Sequence, residues 1–518
     1  MWGVSIMEKI YKIGENGIKI LACIPLVLLS VIVVLFQNSI TMDILEKSTI
    51  NEHSWKFYLL LVVALIALFI FNKVSKYIPE SVLFIILALA YIVGGIYLIT
   101  HIQMVLRYDS GICYWNALNY IEGNFTNLQV GEYFYKNPHQ LGLVLYNTIL
   151  IFFNDNENFV YYINLIWIVL GNFFLWRTSV LVNEDEPAIR KMVITFSFLF
   201  LPQFFYLFFA YGQVPGLGCL MIALYCVVHT IQKNSRVPMF VAFVFIGIAC
   251  LVRMNYAIAG IALVIICLLY TFKNKRIFLG ISTVCIVLCI LLPRMAVNGY
   301  YEKVANTDLS NGMPSTLYVA MGLQESDELW RANGWYNSYN DTIYADCNAD
   351  AELANEIAVE EIKSRLQIFA DNPGYAISFF REKLITTWCE PTYQAIWSGP
   401  LICMNCATEV EWISELYSGG PLFVRFSQVM NIINIFIFVF SAVYVLWNLL
   451  WDKKEINVVV LFGILYCMGG FLFHVVWETK SQYVYPYVVC LIPVAAQGIH
   501  MICSKITFKK KLEKEVNN

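Results

Sequence analysis

Charge is scarce in this chain: of its 518 residues only 14% are Asp, Glu, Lys or Arg, while 59% are hydrophobic and 16% aromatic. That deficit excludes an ordinary water-soluble domain, which carries roughly a quarter of its residues as charges. No basic tract suggests nucleic acid as a partner. A glycine-rich phosphate loop is missing, and with it the usual seat of a nucleotide. There is no internal repeat and no low-complexity stretch. No small-residue cleavage site follows Phe36, so the apolar run that Lys9 and Lys12 precede reads as an uncleaved span and not a signal peptide. The apolar runs also hold almost no charges, which argues against an ion or solute path through a bilayer.

What the chain does have is apolar length. Leu21 to Phe36, Val82 to Ile99 and Ile277 to Pro293 are long enough, at about 1.5 Å per residue, to cross about 30 Å of hydrocarbon with tilt or thinning. Spans are expected near 17–37, 57–72, 80–103, 159–176, 192–210, 214–231, 238–252, 256–272, 277–293, 424–450, 456–474 and 483–503. The expected fold is therefore an all-α polytopic membrane protein, a bundle of about a dozen transmembrane helices. Its parts are N-terminal helices in 1–103, a polar loop at 104–158, a central bundle in 159–293, a helical cap loop at 294–423, C-terminal helices in 424–503 and a basic tail at 504–518.

Lys73 and Lys76, Arg177, Arg190 and Lys191, Lys233 and Arg236, Lys273, Lys275 and Arg276, and Lys453 and Lys454 fall in alternate short loops. The excess of Lys and Arg on one side places both termini in the cytoplasm and the two long polar loops outside. Leu141 to Phe153 decides the parity. At about 13 residues it is short for a span, and counting it as one would turn every downstream basic loop outward. It is read as a helix in the outer interface, with Tyr146 and Asn147 facing headgroups. In the cap, Asp350 to Ala370 and Pro373 to Thr387 have helical periodicity, and Asn372-Pro373 separates them.

The residues able to carry chemistry collect at the outer helix ends. Arg107-Tyr108-Asp109-Ser110 follows the third span, with Tyr114, Trp115 and Asn119 after it. An acid held at a membrane boundary can have its pKa raised or can bind a metal or a hydroxyl. It can equally be an ordinary interfacial Asp beside Arg107. His474 and Glu478 share a face if their helix continues, and Lys480 can pair with Glu478 and leave it no other role. Arg253, Asn255 and Arg294 suit a phosphate, because a guanidinium stays charged and donates in a fork; they suit snorkelling as well. Of the 15 cysteines most lie in apolar runs, where a thiol is a small hydrophobe. Cys403-x-x-Cys406, with Cys347 and Cys389 standing singly, lacks the second pair that zinc spacing would need.

In order along the chain these pieces resemble a known superfamily. Asp109 opens the first outer loop, and Tyr133-Phe-Tyr-Lys-Asn-Pro-His139-Gln140 opens an interfacial helix. The Arg253/Asn255 turn, Gly334-Trp-Tyr-Asn337, Asn372-Pro373, Trp388-x-Glu390-Pro391 and Glu478-Thr-Lys-Ser-Gln-Tyr483 follow. The pattern resembles the GT-C superfamily of glycosyltransferases that use polyprenyl-phosphate sugars, nearest to the protein O-mannosyltransferase-like (family 39) branch. The resemblance implies a plasma-membrane enzyme, bacterial by its short loops, that moves a sugar from a polyprenyl-phosphate donor to an extracytoplasmic glycan, lipid or protein with inversion.

By the same resemblance Asp109 and Glu478 would be catalytic, and Arg253, Arg294 and Lys480 would bind the donor phosphate. Tyr108, Tyr114, His139, Gln213, Asn255, His474 and Tyr483 would line the substrate. Ser110 stands where relatives often have a second acid, Gln213 where they often have another, and Gln482 where they often have Arg. A divalent cation, Mg or Mn, is left open as cofactor, with no acidic pair to hold it. The alternatives are a polysaccharide polymerase or ligase, which would lean on outer arginines and a histidine, a membrane transporter, and a non-catalytic subunit of GT-C type.

Overall fold

A computed structural model describes residues 6–326, 328 and 331–516, with side chains as far as 505. The chain runs through α1 (Ile6–Leu35), a hairpin of β1 (Phe36–Ile40) and β2 (Ser48–Glu52), α2 (Trp55–Val74), α3 (Glu80–His101) and the two-residue strand β3 (Gln103–Met104). A polar segment then holds α4 (Tyr108–Ile121), the single turn α5 (Tyr133–Lys136) and α6 (Leu141–Phe153). The central bundle is α7 (Glu157–Val182), α8 (Pro187–Leu199), α9 (Pro202–Phe205), α10 (Gln213–Lys233), α11 (Val237–Val252), α12 (Ala257–Asn274) and α13 (Ile277–Ala305). A second polar segment carries α14 (Ser315–Gly322), α15 (Tyr339–Asp346), α16 (Ala351–Asp371), α17 (Pro373–Trp388), strand β4 (Cys406–Ala407) and α18 (Glu411–Tyr417). Last come α19 (Pro421–Trp447), α20 (Val458–Val476) and α21 (Tyr485–Val516).

Among the described residues ten helices are long and apolar enough to cross a membrane: α1, α2, α3, α7, α10, α12, α13, α19, α20 and α21. This is an all-α polytopic membrane architecture with very little sheet. Two expected spans are weaker. The run near 192–210 is broken into α8 and α9, whose axes differ by 48°, and the run near 238–252 forms the short α11. Pro202 explains the break, since it cannot donate to the ladder of the preceding helix. The expected end of a span at Pro293 does not hold either, because α13 runs on to Ala305. Arg294 therefore sits on a helix and not in a loop. Of the basic tail at 504–518, the side chains beyond Lys505 lie outside the described residues.

The cap helices form where their sequence starts and stops them. Asp350 accepts from the amides of Glu352 and Leu353 to begin α16, and Asn372 accepts from Tyr375 N to begin α17. The helix α6 has the expected bounds but not the expected face. Asn147 is buried and the Tyr146 hydroxyl accepts from Trp167 Nε1 at 3.1 Å, while Ile149, Phe152 and Phe153 are exposed. The polar side chains turn into the protein, because an apolar surroundings offers them no partner there, and the apolar face turns outward.

The two ends of the bundle differ. One gathers the basic loops: Arg190 grips Glu80 through Nε and Nη2, Lys191 donates to Ser75 O at 2.7 Å, Lys273 pairs with Glu455, and the buried Glu15–Lys19 pair at 3.2 Å receives Ile456 N. The other end carries the hairpin, the loop around α4 to α6, and the cap. There β3 pairs antiparallel with β4, Gln103 opposite Ala407 and Met104 opposite Cys406, which ties the start of the first polar segment to the second.

Candidate active-site cavity

A cavity of about 1000 Å³ opens at the end opposite the basic loops, and ten of the twelve expected site residues line it: Tyr108, Asp109, His139, Arg253, Asn255, Arg294, His474, Glu478, Lys480 and Tyr483. They come from five well-separated stretches of chain, so the fold, not local sequence, brings them together.

Asp109 stands in the first turn of α4. Arg107 before it is extended, with φ −136°, and Tyr108 is left-handed, with φ 51°. A tyrosine in that region costs on the order of 1 kcal/mol or more, and the kink is what swings Asp109 to the cavity wall. The Tyr211 hydroxyl donates to Asp109 Oδ2 at 2.9 Å and itself accepts from Gln140 Nε2. Gly212, at φ 83°, holds Tyr211 in place: a Cβ there would lie 2.3 Å from Val252 O. The same contact presses the Tyr211 turn against Arg253, whose guanidinium carbon sits 4.1 Å from the centre of the Tyr211 ring and 5.5 Å from that of Tyr483. Burial opposes the charge on Arg253, but Tyr211, Tyr483 and Asp109 outweigh it and hold its pKa above the ordinary arginine value. His139 is the reverse case. Burial, with Arg294 and Arg253 adding, pushes it down to about 3, so the ring is neutral.

The second acid is built differently. The helix α20 ends at Val476 and Trp477 is extended, so His474 and Glu478 do not share a helix face. Instead Glu478 N donates to Tyr318 O at 3.1 Å, and Thr479 N to Gly334 O at 3.0 Å. Gly322 allows that approach, since a Cβ on it would stand 2.4 Å from the Trp477 carbonyl carbon. Lys383, buried, gives one proton each to the carbonyls of Gly322, Val475 and Trp477 at 2.5, 3.0 and 2.9 Å. The simple Glu478–Lys480 pair is not formed: Lys480 Nζ lies 2.5 Å from Glu46 Oε2, on the tip of the hairpin. Glu478 is left buried with no donor on Oε1. Burial pushes its carboxyl up to about 7, against the opposing pull of Lys480 and Lys383. His474 Nδ1 meets Thr479 Oγ1 at 3.1 Å, and its Nε2 is buried without a partner.

Two expected residues fall elsewhere. Tyr114 is buried and donates to Asp155 O at 2.6 Å, because it faces the packed side of α4 one and a half turns past Asp109. Gln213 points into a separate space of about 10 Å³ with Arg253, Tyr256 and Tyr487, and both its amide atoms are unpartnered. Several lining residues were not expected: Glu46, Arg107, Tyr211, Tyr318 and Trp397. Glu46 comes from a hairpin that the apolar runs on either side concealed. The Tyr211-Gly212 pair did carry a turn signal.

The donor set tests the divalent cation. Beside Asp109 stand Ser110 and the hydrogen-bonded Tyr211, and among the described residues no three His, Cys, Asp or Glu side chains converge. The residues present do not fit Mg or Mn, and no step below passes through a metal. No family model, curated protein or solved structure matches this chain.

Proposed function

We propose that the protein is an integral membrane glycosyltransferase of GT-C type, with about 12 transmembrane segments. In this reading it transfers a sugar from a polyprenyl-phosphate donor to an extracytoplasmic hydroxyl. The observation that carries the reading is the composition of the cavity wall. An accessible carboxylate, Asp109, and the cations Arg253 and Arg294 face the same space as Ala257, Ile258 and Ile261 of the first turns of α12, and Ile261 is 59% exposed on the bundle's outer surface. A site that is polar at one edge and continuous with lipid-facing apolar surface at the other suits a substrate with a sugar phosphate head and an isoprenoid tail. The basic loops at the opposite end support a cavity that opens outside the cell.

The reaction follows from those groups. The acceptor oxygen attacks the anomeric carbon and forms the new C–O bond as the bond from that carbon to the phosphate oxygen breaks, with inversion. The hydroxyl proton passes to Asp109, oriented for it by the Tyr211 hydrogen bond. The electron pair leaves with the polyprenyl phosphate, whose growing charge Arg253 and Arg294 offset. Glu478, His474, Asn255 and Tyr483 orient sugar hydroxyls, and Lys480, tied to Glu46, fixes the loop that carries them.

Purified protein given a radiolabelled polyprenyl-phosphate sugar is expected to release the sugar to an acceptor. Asp109→Asn is expected to lower turnover by about a hundredfold or more with the thermal transition unchanged. A loss smaller than about tenfold in a folded variant, about 1.4 kcal/mol of barrier, removes Asp109 from the role of base. Solute uptake by reconstituted protein that survives Asp109→Ala would support a transporter in its place.

A further inference from the structure

The cavity holds more cation than one donor phosphate requires. Of the charged side chains on its wall, Lys480 is paired with Glu46, Arg331 with Glu328, and Asp341 with Lys136 from outside the wall. Among the described residues that leaves three arginines without an ion pair, Arg107, Arg253 and Arg294, against the two carboxyls of Asp109 and Glu478. Arg253 and Arg294 serve the donor in the reading above. Arg107 is not used, and it faces a different wall. Its neighbours are the hairpin tip and the loop around 397–404, whereas Arg253 packs on Tyr211 and Tyr483.

Arg107 is built as a held, unfinished site. It is only 6% exposed. Its Nη2 donates to the Trp397 carbonyl, and its guanidinium carbon lies 4.3 Å from the centre of the Trp397 ring and 5.0 Å from that of Tyr108. Trp397 is itself fixed by its Nε1, which donates to Asp43 O at 3.0 Å. Aromatic faces thus clamp the guanidinium plane, yet Nε and Nη1 have no acceptor. Burial pulls its pKa below the ordinary arginine value, but guanidinium starts so high that the charge stays. Glu46, the carboxylate whose charge acts on it, already receives Lys480 and the Gln394 amide. An uncompensated buried cation is costly unless a partner arrives. The start of α4 at the same spot has no side-chain cap and so adds its own unsatisfied amides. Tyr108, 48% exposed, offers a ring face beside them.

We infer that Arg107, with the first turn of α4 and the Tyr108 ring, binds an oxyanion carried by the acceptor, so that the acceptor is an anionic sugar or polyol bearing a carboxylate or phosphate near the hydroxyl that Asp109 activates. The assignment of this anion to the acceptor rests on the glycosyltransferase reading; the existence of the anion site does not. A single residue, Tyr108, separates Arg107 from Asp109, which brings a charged group and a reacting hydroxyl of one small molecule within reach of both.

The test is binding, without donor and without turnover, so it can fail while glycosyl transfer stands, and the reverse. Full-length protein in phosphatidylcholine nanodiscs is titrated calorimetrically with glucuronate and glycerol 3-phosphate, and with their uncharged counterparts methyl glucoside and glycerol. The anions are expected to bind at least about tenfold more tightly than the uncharged probes, and Arg107→Gln to abolish that difference while Arg381→Gln, a change at an exposed arginine outside the cavity, keeps it. Equal affinity of wild-type protein for charged and uncharged probes overturns the inference, and that arm needs no variant to fold. Binding that is unchanged in Arg107→Gln overturns it too. A repeat in nanodiscs containing phosphatidylglycerol separates the sources: if the lipid alone occupies the site and displaces both soluble anions, the ligand is a bilayer headgroup and not an acceptor.

Discussion

At the scale of single residues, Glu478 is the group whose behaviour differs most from its ordinary chemistry. Its carboxyl is 6% exposed, receives no hydrogen bond on Oε1 and titrates near 7, with 4.5 as the ordinary value. Between those two values the folded chain keeps a proton that the unfolded chain has released. Stability conferred by this site is therefore highest below about pH 4.5, falls as pH rises toward 7, and is level above. Glu478→Gln keeps the shape and cannot ionise, so it removes that loss. At about pH 8 the variant is expected to exceed wild type in stability by up to about 3 kcal/mol, and at about pH 4 to match it. Thermal unfolding in detergent at the two pH values measures the difference. An equal difference at both would mean that the carboxyl is ionised throughout and has a partner in the cavity. In the proposed donor-bound state the neutral acid would act as a hydrogen-bond donor next to the sugar, a role the amide of glutamine could partly keep.

At the scale of elements, the junction of the cap with α20 decides where Glu478 points. Gly322 at the end of α14 lies so close that an added Cβ would stand 2.4 Å from the Trp477 carbonyl carbon and 2.6 Å from Glu478 N. Lys383 of α17 closes the same junction through three carbonyls. Gly322→Ala is expected to cost about 1–3 kcal/mol by forcing the two elements apart, and Lys383→Met about 3 kcal/mol or more by stranding three acceptors. Because both act on one contact, the double variant should lose less than the summed losses; strict additivity, read from denaturation midpoints and from turnover, would show that the junction is not a unit. These elements also show what a sequence makes legible. The caps Asp350 and Asn372 mark α16 and α17 to within a residue, since a helix start depends on local hydrogen bonds. The outward face of α6 was not legible, because whether Asn147 meets headgroups or protein depends on Trp167 and the helices behind it. Asp109, Arg253 and Glu478 could be picked out as polar types at helix ends. Glu46 could not, since its place beside Lys480 is set by a hairpin whose partner lies more than 400 residues away.

At the scale of the whole molecule, the uneven placement of charge gives the bundle a direction. Lys73, Lys76, Arg190, Lys191, Arg236 and Lys273 lie at one end, and the cavity, the hairpin and the cap lie at the other. A lipid-linked donor requires this division. Its phosphate rests at headgroup depth, so the cations that meet it must stand at one membrane surface, and the acceptor must enter from the water on that side. In the proposed orientation, which the basic-loop rule supports, the cavity opens at the extracytoplasmic surface. Two positions separate that arrangement from its inverse. Cys403 is exposed beside the cavity's outer loop, and Lys76 is exposed at the basic end. A membrane-impermeant maleimide added to intact cells is expected to label wild-type protein and to lose that labelling in Cys403→Ser. In the Cys403→Ser background, Lys76→Cys is expected to react only after the membrane is permeabilised. The reverse pattern would place Asp109, Arg253 and Arg294 in the cytoplasm, where an acceptor outside the cell could not reach them, and would rule out the proposed direction of transfer whatever the chemistry of the cavity.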